Sequence, residues 1–470
     1  MTNNTRLEGS AMLPTTVRQF LNDRSAAFEQ IRHPATQTLA QTARMCGVPA
    51  SRIARALVLI DARGPLLAVL PSDHLLDFRS LCDWLHRELE PVPADRLSAL
   101  FDDCESRCCP PLGTAYGLDT VVDETLFEGD TVYVEPGSHS TLLKFSVDEF
   151  RRLLTDARCG RFSRPLSTLA GQDAARMLNT TIEQFTPARI KRRVEEFHDL
   201  PALPGAALRI LEIARDPRAD AQDLARVIEQ DAPLAARILR YANSPLYGYP
   251  GKIKDLKGAI ARVLGFDFVL NLALGITIGK SLHISADGPL GLDAFWRHSV
   301  YAASLVERLA TLMPADIRPS RGTAYLAGLL HNMGILLLGH AFQTEFFLLN
   351  RYLSANPDVP LETVEKYVLG VGHDQIGAWL LAAWGLPPEL VTAARRHHDE
   401  AYWGDHAIYS QLVLITNRLL ARYGIGTGNS TDLPGFALEM LGLDAHEVTA
   451  AAEALWAGST ELDDLARMVA

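Results

Sequence analysis

The stretch Ala324-Tyr-Leu-Ala-Gly-Leu-Leu-His331-Asn332-Met-Gly334-Ile-Leu-Leu-Leu-Gly339-His340 is apolar on nearly every side for more than three helical turns. A helix of this pattern has no solvent face and must be surrounded by other helices. In its middle stand a histidine and an asparagine, whose burial costs free energy unless each finds a partner. A lone histidine in such a place reads first as a hydrogen-bonded core residue. Three further segments change that reading. His298 shares a helical face with Ala302, Leu305 and Leu309, and His373 shares one with Ile376, Leu380 and Ala383, while His397 and His398 follow Leu390 and Ala394. Histidines from four expected helices point towards packed sides, so a shared interior cluster is expected.

Outward from this stretch, helices are expected over 206–215, 221–230, 234–243, 257–265, 266–278 and 407–423, with two more at the carboxyl end. Asp220 and Asp231 are N-cap candidates. Gly265, Gly275 and Gly279 lack a preceding strand and phosphate-loop spacing, and read as close helix packing. The first third of the chain alternates instead. Helices are expected over 16–30, 37–46, 76–89 and 147–154. The runs 53–60 and 65–70, joined by Asp61-Ala-Arg-Gly64, read as a β-hairpin, and short strands follow at 120–123, 131–135 and 141–145. The expected architecture is multi-domain: a flexible N-terminus over 1–12, an α+β domain over 13–155, a linker with a helix over 156–196, and an all-α domain over 197–470. Within the linker, four cations in Ala188-Arg-Ile-Lys-Arg-Arg193 are followed at once by Glu195 and Glu196, which reads as a solvated connecting helix.

With 470 residues the chain has room for two or three cores. A formal charge of −11 argues against broad nonspecific nucleic-acid binding. No secretory pattern opens the sequence, and no run of about 18 uninterrupted apolar residues appears. A cytoplasmic protein with no membrane partner is expected. Cys46, Cys82, Cys104, Cys108, Cys109 and Cys159 include no Cys-x-x-Cys pair and read as reduced, mostly buried thiols.

Two resemblances follow from these residues. His298, then His331 with Asn332 and Gly334, then His373-Asp-Gln-Ile-Gly377-Ala, then His397-His398 is the order seen in HD-type metal phosphohydrolases, and the chain from Leu200 to about Leu465 resembles their HDOD subgroup. That subgroup is mostly regulatory, which implies a bacterial signal-transduction protein binding a protein partner or small ligand. Asn332 stands where a hydrolase has aspartate. An amide offers one neutral oxygen in place of a bridging carboxylate, so the set His298, His331, Asn332, His373, His397 and His398 reads as a degenerate remnant holding no cofactor, or one divalent metal at most.

Arg32-His33-Pro34, Pro71-Ser-Asp73, Pro110-Pro111-Leu112-Gly113, Val122-Asp123-Glu124 and Gly137-Ser-His139 match, in order, the YbaK and prolyl-tRNA editing-domain family. The resemblance implies a pocket at His33, Arg55, Pro111, Gly113 and His139, with Arg55, Asp123, Gly137 and His139 as catalytic candidates and tRNA as a partner. Arg55 replaces the family's lysine, keeping the charge and losing the point ammonium. Arg107-Cys108-Cys109 stand where relatives often have small residues. The departures at Arg55 and Asn332 both favour binding over chemistry. The alternative is an enzyme, either an aminoacyl-tRNA deacylase through the first domain or a residual phosphohydrolase through the second. The sequence leaves oligomeric state open.

Overall fold

The computed structural model describes residues 13–92, 94–106, 108–169, 203–244, 249–279, 282, 284–286, 288–428 and 430–469. The expected flexible N-terminus, the expected linker from 170 onward with its helix, and Arg107 lie outside the described residues. Two compact units emerge: Met1–Arg176 with Arg351–Val359, and Met177–Asn350 with Pro360–Ala470.

In the first unit the expected hairpin is present as β2 (Ile53–Asp61) and β3 (Gly64–Pro71), closed with Asp61 opposite Gly64. Gly64 has φ +108°, a conformation that favours glycine. Both strands are almost continuously buried, which explains why they read as unbroken apolar runs rather than alternating ones. Around them the sheet adds β1 (Glu29–Arg32), β6 (Asp119–Asp123), β7 (Thr131–Val134), β8 (Thr141–Ser146) and β9 (Arg158–Gly160) in the order β1-β8-β7-β2-β3-β6-β9. β5 (Glu90–Pro91) pairs with β2, and β4 (His74–Leu76) with β10 (Ser163–Pro165).

Three expectations are corrected here. The first helix is Thr15–Asp23, and Ser25 then turns the chain at φ +46° so that residues 29–32 pair with β8. Tertiary pairing overrides the helical pattern there. The helix expected over 76–89 is Phe78–Leu85, capped by Asp77, with a strand before it. Residues 158–165, expected in a linker, supply β9 and β10, so the α+β unit runs beyond 155.

The second unit is helical throughout its described residues. Asp220 caps Ala221–Glu229 through a capping box with Asp223, and Asp231 caps Ala232–Ala242 through the Leu234 N–H. The central apolar stretch forms two helices, Arg321–Leu330 and Met333–Ala341, meeting in a turn at His331-Asn332. By length and composition Arg321–Ala341 passes as a membrane span, yet it is buried inside the unit. Gly275 and Gly279 fit the packing reading: a Cβ would stand 2.3 Å from Leu329 at the first and 2.0 Å from Trp296 at the second. Three helices, not two, follow Ala407–Ala421: Gly435–Leu441, Ala445–Ala457 and Ser459–Val469.

Candidate functional site

Gly334 decides where the central histidine goes. A Cβ on it would lie 2.0 Å from the His373 carbonyl oxygen, and one on Gly377 would lie 3.0 Å from the Gly334 nitrogen. The helices Met333–Ala341 and His373–Ala383 therefore touch backbone to backbone, an approach open only to glycine. It sets the His331-Asn332 turn beside His373, the first residue of its helix. His298 comes from Leu292–Leu312, while His397 and His398 follow Pro388–Arg396. Ring centroids run 5.2 Å from His298 to His331, 4.8 Å on to His397, 5.3 Å to His373 and 5.1 Å to His398. All five expected histidines meet, together with Asn332.

Half of this cluster is a chain of neutral hydrogen bonds. His331 Nδ1–H donates to the Gly328 carbonyl (2.7 Å), and its Nε2 accepts from Asn417 Nδ2 (3.4 Å). Asn417 Oδ1 accepts from His298 Nε2–H (3.1 Å), whose Nδ1 accepts from Asn332 Nδ2 (3.1 Å). Burial holds His298 down to about 4, and burial together with neighbouring histidines holds His331 well below the usual range, so both rings are neutral. Asn332 Oδ1 is buried without a hydrogen-bond partner.

The other half leaves its Nε2 atoms facing one another. His397 Nδ1–H donates to the Ala394 carbonyl (2.8 Å), and His373 Nδ1 donates to Glu365, 2.9 and 2.8 Å from its two oxygens. Burial opposes charge on His373, but contact with Glu365 outweighs it and raises its pKa. His373 Nε2 is 3.2 Å from the Nε2 atoms of both His397 and exposed His398. Zinc–nitrogen bonds of about 2.0–2.1 Å give tetrahedral edges near 3.3 Å; both His373 edges have that length and all three nitrogens lie within 4.8 Å of one another, which makes them candidate ligands for one cation, with Glu365 and a backbone carbonyl orienting two of them. Beside them the neutral amide of Asn332 donates to His298.

Sequence reading missed Asn417 and Glu365. Glu365 had a usable signal, a carboxylate sharing a helical face with Leu361 and Leu369.

In the sheet unit Arg55 lies mid-β2, 3% exposed. Its Nη2 donates to the His74 carbonyl (2.8 Å) and to Asn356 Oδ1 (2.9 Å), and Nη1 lies 3.9 Å from Asp358. Nε and Nη1 have no hydrogen-bond partner. Burial lowers the Arg55 pKa, with Asp358 and Asp73 opposing it. Asn356 is fully buried in the same unit; it also accepts from the Leu76 N–H (2.9 Å) and donates to the Tyr352 carbonyl (2.9 Å). It lies 301 positions from Arg55 in the chain, and nothing in the sequence pairs the two.

His139 has other partners: its Nε2–H donates to the Ser106 carbonyl (3.0 Å), and Nδ1 lies 3.5 Å from Glu135. The Glu135 contact raises it to about 9 against the effect of burial. The His33 backbone N–H donates to the Ser140 carbonyl, which puts His33 beside the His139 turn, and its ring donates to Pro34. Gly137 makes that turn at φ +110°. Pro111 is buried, and Gly113 leaves no room for a Cβ, which would sit 2.1 Å from Thr120 Oγ1. Asp123, a catalytic candidate by resemblance, is fully buried and spends its carboxylate on Thr125 and the Phe162 N–H, as an anchor for the chain on either side.

A helical unit with histidines converging in this order, after a mixed-sheet unit with the His33, Gly137 and His139 turn, defines a two-module protein of the HD type. Residues 200–400 match the HDOD domain and residues 33–153 the aminoacyl-tRNA editing domain. A crystal structure of a protein from Marinobacter aquaeolei VT8, provisionally assigned to signal transduction, superposes with a TM-score of 0.83 at 30% identity, covering 97% of this chain and all of that one. The chain belongs to the HDOD family and carries an aminoacyl-tRNA editing domain ahead of the HDOD domain. An HDOD domain protein from Geobacter sulfurreducens matches over 60% of this chain and 97% of its own, at 22% identity and a TM-score of 0.49. An uncharacterized protein of Treponema pallidum (strain Nichols) is 28% identical over 222 residues, which span 47% of this chain and 42% of that relative.

Proposed function

We propose that this is a regulatory protein of bacterial signal transduction, acting in the cytoplasm, whose HDOD module binds a protein partner or small ligand without hydrolysing it. The observation that carries this is Asn332. Its amide donates to His298 where a hydrolase needs a bridging carboxylate, and Asn417 ties His298 to His331, so two of the five rings are spent on neutral hydrogen bonds. Two-metal activation of water has no anionic bridge to build on. His373, His397 and His398 would hold one cation, which would organise the pocket and polarise a bound oxygen. The Marinobacter relative's assignment to signal transduction supports the regulatory reading.

The editing domain is read as a recognition module for tRNA or an aminoacyl group. Arg55 cannot give up a proton near neutral pH, and its Nη2 is already held by His74 and Asn356. It suits fixed charge better than a reacting group.

The test incubates full-length protein with Mn2+ or Fe2+ and cyclic dinucleotides or p-nitrophenyl phosphodiesters, and separately with mischarged prolyl-tRNA. Release at the protein-free rate is expected in both. Metal-dependent turnover lost in His373→Ala would overturn the first half of the reading, and deacylation lost in His139→Ala the second.

A further inference from the structure

Cys108, Glu135 and His139 bring a sulfur, a carboxylate oxygen and an imidazole nitrogen within 4.8 Å of one another in the sheet unit. We propose that these three side chains form a Zn2+ site with an open fourth position, separate from the histidine cluster of the helical unit.

Distances come first. Cys108 Sγ and His139 Nδ1 each lie 3.5 Å from Glu135 Oε2. Zinc–sulfur bonds of about 2.3 Å and zinc–nitrogen or zinc–oxygen bonds of about 2.0–2.2 Å put tetrahedral ligand edges at roughly 3.3–3.6 Å. Two of the three edges therefore already have the required length, and the third, from Cys108 Sγ to His139 Nδ1, is within 4.8 Å.

Orientation agrees. His139 Nε2–H donates to the Ser106 carbonyl, which turns the other nitrogen towards Glu135; metal-ligating imidazoles are commonly fixed in this way. Thr42 Oγ1 donates to Glu135 Oε1 (3.3 Å), so the second carboxylate oxygen, Oε2, is the one presented to both other donors. The backbone supplies the geometry: Glu135 follows β7, and Gly137 reverses the chain at φ +110° to bring His139 back over it. Any side chain at Gly137 would collide with Cys104 Sγ at 2.6 Å.

The donor chemistry selects the cation. One thiolate, one imidazole and one carboxylate suit borderline-soft Zn2+ and exclude Mg2+ or Ca2+, which take all-oxygen shells. Three protein ligands are the pattern of zinc sites whose fourth place takes water or a ligand oxygen. Cys108 and Glu135 are buried while His139 is partly exposed, so that fourth place is reached from the His139 side. The spacing of Cys108, Glu135 and His139 matches no zinc-finger pattern, which is why the cysteines read only as buried thiols.

Full-length protein, reduced and metal-free, is titrated with Co2+ and followed for a thiolate-to-cobalt charge-transfer band in the near ultraviolet. Saturation at one equivalent is expected in the His373→Ala, His397→Ala background, where the histidine cluster does not compete for Co2+, and Zn2+ should displace it. Cys108→Ser should abolish the band, and His139→Gln should weaken Co2+ binding about tenfold or more. Cys159→Ser, at an exposed thiol, should leave the band unchanged, as should the double variant His373→Ala, His397→Ala. No band in the wild type, or a band that persists in Cys108→Ser, overturns the proposal. If Cys108→Ser does not fold, His139→Gln decides alone, and unchanged Co2+ affinity overturns the site.

Discussion

In the sheet unit a guanidinium is buried with two of its nitrogens lacking a hydrogen-bond partner; in the helical unit His298 and His331 are held neutral in a hydrogen-bonded chain through Asn332 and Asn417. Both places depart from the reactive residue that the family pattern implies, Arg55 for lysine and Asn332 for aspartate. The physical consequences are opposite. Arg55 retains a charge that the fold must hold by a few contacts, chiefly Asn356 and the His74 carbonyl, whereas Asn332 brings no charge and its amide donates to His298. Arginine thus leaves a buried charge to be held in one unit, and asparagine a neutral hydrogen-bonded pair in the other.

The largest effect should come from removing what holds the charge. Asn356→Ala strips Arg55 Nη2 and the Leu76 N–H of a shared acceptor. A buried hydrogen bond to a charged group is worth about 1.5–3 kcal/mol, and a stranded buried N–H costs about 1–3 kcal/mol more. Arg55→Met removes charge and demand together and should cost far less, because an apolar replacement of a buried ion is often near neutral. Urea unfolding of the two full-length variants measures the gap. Equal losses would show that Arg55 is no liability and would break the comparison.

Acid should separate the units next. His298 has a folded pKa of about 4 because it is buried, below the usual value near 6.5 for an unfolded histidine. As pH falls the unfolded state takes the proton first, so this contribution is fully present above about 6.5 and disappears as pH drops towards 4; the shift corresponds to roughly 3 kcal/mol. His139 runs the other way. Its folded pKa of about 9, set by Glu135, gives a contribution present below about 6.5 and lost as pH rises through about 9. Denaturation at pH 4.5, 7 and 9.5 of wild type, His298→Gln and His139→Gln reads both slopes. A helical unit indifferent to acid would mean that its histidines are not held neutral.

Gly334→Ala tests the backbone contact beneath the cluster. Its Cβ would stand 2.0 Å from the His373 carbonyl, so the two helices must part. Overpacking of this kind costs about 1–3 kcal/mol, and the melting temperature should fall accordingly. Gly64, where a Cβ meets nothing within 4 Å, is a useful contrast: any loss in Gly64→Ala comes from its φ of +108° alone.

Periodicity made the helical bundle legible, and the apolar faces beneath His298, His373 and His397 made the cluster legible too, because side-chain direction on a helix follows from spacing. The hairpin and the later strands were readable from their β-branched apolar runs. What escaped had a single cause: partnership across distance. Residues 29–32 look helical until β8 pairs with them, residues 158–165 look like a linker until β6 and β4 do, and nothing in the sequence singles out Asn356 until Arg55 meets it. Asn417 belongs to the same class, a polar residue in an apolar run whose meaning depends on which two histidines flank it. Break points inside helices escaped as well, since the turn at His331-Asn332 interrupts a stretch with no proline to announce it.

The smallest and most informative change is Asn332→Asp, because it returns to the helical unit the kind of charge that the sheet unit carries at Arg55. His298 already donates through Nε2 to Asn417, so to serve the new carboxylate at Nδ1 it must take up a second proton. The imidazolium–carboxylate pair so formed offsets most of the cost of burying a charge. A net loss near 1 kcal/mol, about 2–4 °C in melting temperature for a unit of this size, is expected in metal-free buffer. Mn2+ should restore the lost degrees, since a carboxylate beside His331 and His373 supplies the anionic bridge that the amide withholds. A variant as stable as wild type and indifferent to Mn2+ would mean that Asn332 is not what keeps the cluster from a second cation, and the contrast between the two units would then rest on Arg55 alone.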